Sequence, residues 1–238
     1  MNGSLVVARR ILHSLRGDRR TLGLVVVVPA FIVYLLSEVF TDPQPFAPAI
    51  LGVFVFFLTY MLTAIGFLRE RQVGTLERVL VSPVSRGGIV VGYVAGYGLL
   101  AAVQSLVLLG SAIYFLEVEF EHGIWPFFGL ELLGAFTALG IGIVLSLFAR
   151  NEFQVIQFIP VVITPQVILG GTFLPVEELP EYLEVVARLM PITYLIDGMD
   201  YVVLDNGSVA DLWTAVAVLV VFTEASIILA DEVIRRAG

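Results

Sequence analysis

Six long stretches of this chain carry no charged residue, or only one, and charged residues bracket each of them. The runs are 21–37, 43–68, 87–116, 132–149, 153–176 and 212–230, the last interrupted only by Glu224. A helix crosses the bilayer core with about 20 mostly apolar residues. Backbone inside hydrocarbon must satisfy its own hydrogen bonds, which favours helices. The pattern predicts an all-α integral membrane protein with six transmembrane helices, at about 21–40, 45–68, 87–116, 125–149, 153–174 and 211–231. No run is left over for a soluble domain, so residues 1–238 read as one transmembrane domain. Arginines precede the first span, as in a secretory signal, but no small-x-small cleavage pattern follows it, so it reads as a retained anchor.

Composition narrows the function. Apolar residues make up 58% and charged residues 14%, against about 45–50% and about 25% in soluble domains. Soluble enzymes, disordered tails and nucleic-acid binders are excluded. There is no cysteine, and all 13 basic residues are arginine. Thiolate sites, disulfides, Schiff-base lysines and a P-loop lysine are therefore absent. The two histidines, His13 and His122, cannot form a helical metal pair. The reading is a protein that is not an enzyme, with no catalytic residue, no metal and no ATP hydrolysis of its own.

The arginines set the expected orientation. With six spans, Arg9, Arg10, Arg16, Arg19, Arg20, Arg69, Arg71, Arg78, Arg86, Arg150, Arg235 and Arg236 share one side, and only Arg188 lies opposite. The positive-inside rule places both termini in the cytoplasm. The acids Glu117, Glu119 and Glu121, and those from Glu177 to Asp211, fall outside, so the net charge of −8 belongs to the outer surface.

Three non-spanning segments carry further signals. In residues 1–20, Leu5, Ala8, Leu12 and Leu15 recur at helical spacing beside Ile11, with Arg9, Arg16 and Arg20 off the stripe. This predicts a basic amphipathic helix in the inner interface. In the loop at 69–86, Val73, Leu76 and Leu80 fall at i, i+3, i+7, with Gly74 loosening the start and Pro83 stopping it. A helix this short is marginal alone in water, so a separate protein is one candidate for what it packs on. In the outer segment 174–210, Pro180 starts and Pro191 ends a short helix with Tyr182, Val185, Val186 and Leu189 on one face and a Glu184–Arg188 pair on the other.

These residues resemble a known family, the membrane-spanning permease subunit of type-2 ABC transporters. One stretch that carries the likeness is the inner loop, with Arg69, Glu70, Gly74, Thr75, Leu76, Glu77 and the intervening Arg78, then Ser82, Pro83 and Arg86, and Gly92 opening span three. The other is 170–198, with Gly171, Phe173, Pro175, Leu179, Pro180, Pro191, Tyr194, Asp197 and Gly198. The resemblance implies that the first stretch is a coupling helix docking on an ATP-binding cassette subunit, and that the second forms the outer gate after span five. It implies two cassette subunits, which hold ATP and Mg2+, and two permease copies in a homodimer. This chain then binds no cofactor, and it forms an export path for a drug, lipid, glycan or similar cargo across the plasma membrane. Many family members carry an arginine shortly after the position of Gly198, where this chain has Asp200.

Polar groups inside the spans complete the list. Gln157, Gln166 and Glu224 are candidates for the translocation path, with Gln154 one turn before Gln157 and Pro160 and Pro165 kinking span five. Glu131 is expected to reach the headgroups from the outer end of span four. Gly92 and Gly96 form a G-x-x-x-G pair that predicts close helix packing. The rival readings are an ion-coupled secondary transporter, for which Glu224 lacks an intramembrane basic partner, and a noncatalytic membrane scaffold.

Overall fold

The computed structural model describes residues 3–17, 19–81 and 84–237. Ser82 and Pro83 of the inner loop lie outside the described residues, and Leu15, Glu77 and Leu80 are described through their backbone alone. The chain forms α1 (Gly3–Gly17), α2 (Arg19–Val39), α3 (Ala47–Gln72), α4 (Thr75–Leu80), α5 (Arg86–Phe115) and α6 (Ile124–Phe148). There follow α7 (Glu152–Gln157), a π-helical turn (Ile159–Ile163), α8 (Thr164–Leu169), α9 (Glu181–Ala187), α10 (Pro191–Leu204) and α11 (Val209–Ala237). Among the described residues there is no strand.

Six segments are long and apolar enough to cross a membrane: Leu22–Val39, Gln44–Gln72, Gly87–Phe115, Ile124–Phe148, Glu152–Leu169 and Val209–Val233. Each overlaps an expected span. The α6 helix is the most enclosed, packed against α3, α5, α10 and α11. By contrast α2 rests on α5 and hardly meets α3.

Span five departs from the expected single helix over 153–174. Pro160 and Pro165 cannot donate to the helical ladder, and between α7 and α8 the backbone widens into a π turn. The helix stops at Leu169, where Gly170 donates to the Gln166 carbonyl and Gly171 takes a φ of +91° that side chains resist.

The outer segment holds two helices where one was expected. The α9 helix lies where the sequence places it, but Pro191 opens α10 instead of merely closing α9. Proline suits the first helical position, since its missing N–H has no intrahelical partner there. Ile192, Leu195, Ile196, Met199, Val202 and Val203 of α10 are all buried in the main core. At 14 residues α10 is too short to cross a membrane, and Asp197 and Asp200 interrupt its apolar run. The apolar face of α9, with Tyr182, Val185, Val186 and Leu189, turns away from the bundle and is exposed.

Two other expectations are corrected. Glu131 does not reach the headgroups: it is 0% exposed, and neither carboxylate oxygen has a hydrogen-bond partner. Its position along the span was legible, but its direction around α6 points inward. The buried face of α1 is Val7, Ala8 and Ile11, while Leu5 is exposed. This face lies on the glycine stripe of α5. A Cβ at Gly92 would stand 2.6 Å from Val7 Cβ and 2.8 Å from the Ser4 carbonyl oxygen, and one at Gly96 would stand 3.0 Å from Ile11 Cβ. The G-x-x-x-G pair thus packs closely, as expected, against the N-terminal helix.

Candidate functional site

The arginine-rich end of α3 is fastened on two sides. Towards α1 and α5, Glu70 Oε2 accepts from Arg10 Nη2 at 2.8 Å and from the Tyr93 hydroxyl at 3.1 Å, and Arg10 also donates to that hydroxyl at 2.8 Å. The Arg10 guanidinium lies 5.7 Å from the centre of the Tyr93 ring. The Glu70 side chain is only 15% exposed. Towards α6 and α7, Arg69 grips both oxygens of Glu152 at 2.7 and 3.3 Å, Arg71 donates to the Ser146 and Ala149 carbonyls, and Gln72 donates to the Arg150 carbonyl. Charged hydrogen bonds contribute about 1.5–3 kcal/mol each when sheltered, whereas exposed pairs such as Arg69–Glu152 contribute about 0–1 kcal/mol. The sheltered triad is therefore the stronger tie.

From this anchored end the chain reverses. Val73 donates to the Arg69 carbonyl and Gly74 to the Arg71 carbonyl, and Gly74 adopts a φ of +69°. That left-handed turn suits glycine and launches α4. Six residues make no stable helix alone. Leu76 holds α4 by burying itself in the cluster formed by Val7, Ile11, Phe67, Ile89 and Tyr93. Thr75 is half-buried and Arg78 exposed. Val73 and Val81, flanking α4, are 66% and 87% exposed. Of the residues read as docking groups, Glu70 and Leu76 therefore face into the chain and Arg78 faces out, as do Val73 and Val81 beside α4.

At the opposite, acidic end, Phe173 and Pro175 are exposed and Val176 is buried. Arg188 pairs with Glu184 at 2.8 Å, as its spacing predicts, and with Glu177 at 3.3 Å. The Glu184 hydrogen bond leads in raising its pKa above the usual guanidinium value. The Thr193 hydroxyl donates to the Ala187 carbonyl at 2.7 Å and the Tyr194 hydroxyl to the Arg188 carbonyl at 2.8 Å. These bonds hold α9 against the start of α10. His122 Nε2 meets Asp205 Oδ1 at 2.7 Å and its ring stacks on Tyr201.

Burial, followed by the charges of Glu177 and Asp200, pushes the Asp197 carboxyl up to about 7 from its usual 3.8, while Arg188 opposes the shift. Burial also pushes Asp200 up to about 6. A raised carboxyl binds its proton more tightly when folded. Its contribution is complete below the unfolded pKa and is lost as pH rises through the folded value. The thermal stability gained by Asp197→Asn over the wild type should therefore grow between pH 5 and pH 8. Melting curves at the two pH values check this; an unchanged difference contradicts it.

The three polar candidates for a path do not converge. Gln157 is exposed on α7. Gln166 is buried on α8, its Nε2 donating to the Val162 carbonyl and its Oε1 without a partner. Glu224 is exposed on α11, which packs on α10, α6 and α5. Instead, a cavity of about 580 Å³ opens between α1, α2, α3 and α5, with Leu24, Val28, Met61, Ile65, Glu70 and Gln104 among its walls. No periodicity reveals it, because it exists only where α2 diverges from α3. Among the described residues no cluster of acids and histidines is placed to hold a metal.

The sequence model of the family described as ABC-2 type transporter matches residues 4–204. The chain is 24% identical over 189 residues to a probable multidrug ABC transporter permease, YbhR, of Escherichia coli K12, covering 79% of this chain and 51% of that protein. It is 29% identical over 199 residues to the inner membrane transport permease YadH of the same organism, covering 83% and 76%. It is also 29% identical over 175 residues to ABC transporter G family member 20 of Dictyostelium discoideum, covering 73% and 24%. The chain thus spans about half the length of the first of these relatives.

Proposed function

We propose, because the chain belongs to the ABC-2 type transporter family, that it is the multi-pass permease subunit of a transporter driven by a separate ATP-binding cassette subunit. The observation that carries this reading is the inner end of α3. A short helix flanked by exposed Val73 and Val81 hangs from a helix end tied on one side to α1 and α5 and on the other to α6 and α7. A push on α4 has no slack to absorb it and passes into both halves of the bundle. ATP drives such a change only if the nucleotide-bound cassettes favour one state of the permease over the other. The chain has no lysine for a phosphate-binding loop, which supports hydrolysis in a partner.

The arginine bias supports an inner, cytoplasmic location for α4 and for both chain ends. Export, a plasma-membrane location and a pair of permease copies follow the family pattern. The chain's relatives include a protein named as a probable multidrug permease, which supports an amphipathic cargo. A secondary transporter is less well supported, because Arg69 and Arg71, the arginines that fall inside the six segments, sit at the inner end of α3 and bond to Glu152, Ser146 and Ala149, not to Glu224.

The test is co-purification with the candidate cassette subunit. Val73→Asp and Val81→Asp together should abolish recovery of the ATPase while the permease still inserts. Full recovery with normal cargo-stimulated ATP turnover would reject α4 as the docking element.

A further inference from the structure

The cavity between α2 and α3 has the dimensions and polarity of a slot for one lipid tail. Along α3 its wall runs from Glu70 to Leu58, about 18 Å at 1.5 Å per residue. One leaflet of the hydrocarbon core is about 15 Å thick. The stretch between these ends is apolar, with Val28 on one side and Met61, Leu62 and Ile65 on the other. At the deep end the Gln104 amide nitrogen is already bonded to the Thr59 hydroxyl at 3.1 Å, so it does not call for a polar ligand. Polar groups collect at the opposite end, where Ser14, Arg69 and Glu70 form the rim. The Glu70 charge is answered by Arg10 and the Arg69 charge by Glu152. The rim therefore suits a polar headgroup. Leu24, 61% exposed, stands at the side where α2 leaves α3, so the slot is open to the bilayer.

We infer that this slot binds one acyl chain of a phospholipid from the arginine-side leaflet, with the polar headgroup at the Ser14, Arg69 and Glu70 rim. The lipid tail then takes the place of a protein contact between α2 and α3, and α2 rests on it. This goes beyond the transport reading, and its test needs neither ATP nor cargo.

The test uses the full chain in phosphatidylcholine vesicles doped with a phosphatidylglycerol that carries a photoactivatable diazirine midway along one acyl chain. After irradiation the labelled residues are mapped by peptide mass spectrometry. Labelling should concentrate on Met61, Leu62 and Ile65 over Val220 and Ile228, which are ordinary exposed positions on α11. Leu62→Trp, which fills the slot, should remove the label from Ile65 and leave α11 labelling unchanged. Equal labelling of the slot and α11 in the wild-type chain overturns the proposal without reliance on any variant. So does Ile65 labelling that survives Leu62→Trp.

Discussion

Gly92→Val is expected to lift α1 from its seat on α5. The added Cβ would press on Val7 and also on the Ser4 carbonyl oxygen, 2.8 Å away. A side chain can rotate aside, but a backbone carbonyl inside a helix cannot move without the helix. Overpacking commonly costs about 1–3 kcal/mol, more where the backbone must shift. The loss falls on an interface with few alternatives, since α1 buries Val7, Ala8 and Ile11 there. Limited trypsin digestion should cut after Arg9 far faster in the variant than in the wild type. Gly110→Val is the control, because a Cβ at that position of the same helix meets no atom within 4 Å. Equal digestion of both variants would mean that α1 is held by something other than the glycine stripe.

The contrast between these two glycines shows what was legible in the sequence. Six spans could be read because bilayer thickness and charge exclusion act on local composition, and both are visible one residue at a time. The G-x-x-x-G pair announced a close neighbour, but small residues specify proximity and not identity, so α1 as the partner emerged only in three dimensions. The α9 helix was legible through the spacing of Tyr182, Val185, Val186 and Leu189 between Pro180 and Pro191. The α10 helix was not, because a proline reads as a stop yet serves equally as a start, and Asp197 and Asp200 break the apolar run. Position along a span gave the level of Glu131 in the membrane but not its azimuth, which burial alone decides. The cavity left no trace in the sequence at all, being set by the divergence of α2 and α3. Glu70 was legible as important, but its partners Arg10 and Tyr93 were not, since they lie 60 and 23 residues away.

Glu70→Ala is accordingly expected to act first on the chain itself. It leaves the Arg10 guanidinium partly buried, with its Nε already lacking a partner and its carboxylate gone. Breaking one side of a buried pair costs about 3–5 kcal/mol, whereas replacing both sides with apolar groups is often neutral. The pair here is only partly buried, so about 2–3 kcal/mol is the expected loss, scaled to a charged hydrogen bond. Melting in detergent should show it. Arg10→Met combined with Glu70→Met should recover most of the stability, and the departure from additivity measures the coupling. Transport with the cassette subunit present then separates the two possible roles. If Glu70 serves by tying α1 and α5 to α3, the double variant regains coupling along with stability. If the carboxylate instead touches the cassette, the double variant melts normally yet leaves ATP turnover uncoupled from cargo. The geometry favours the first result, because a side chain 15% exposed and bonded twice within its own chain has little left to offer a partner.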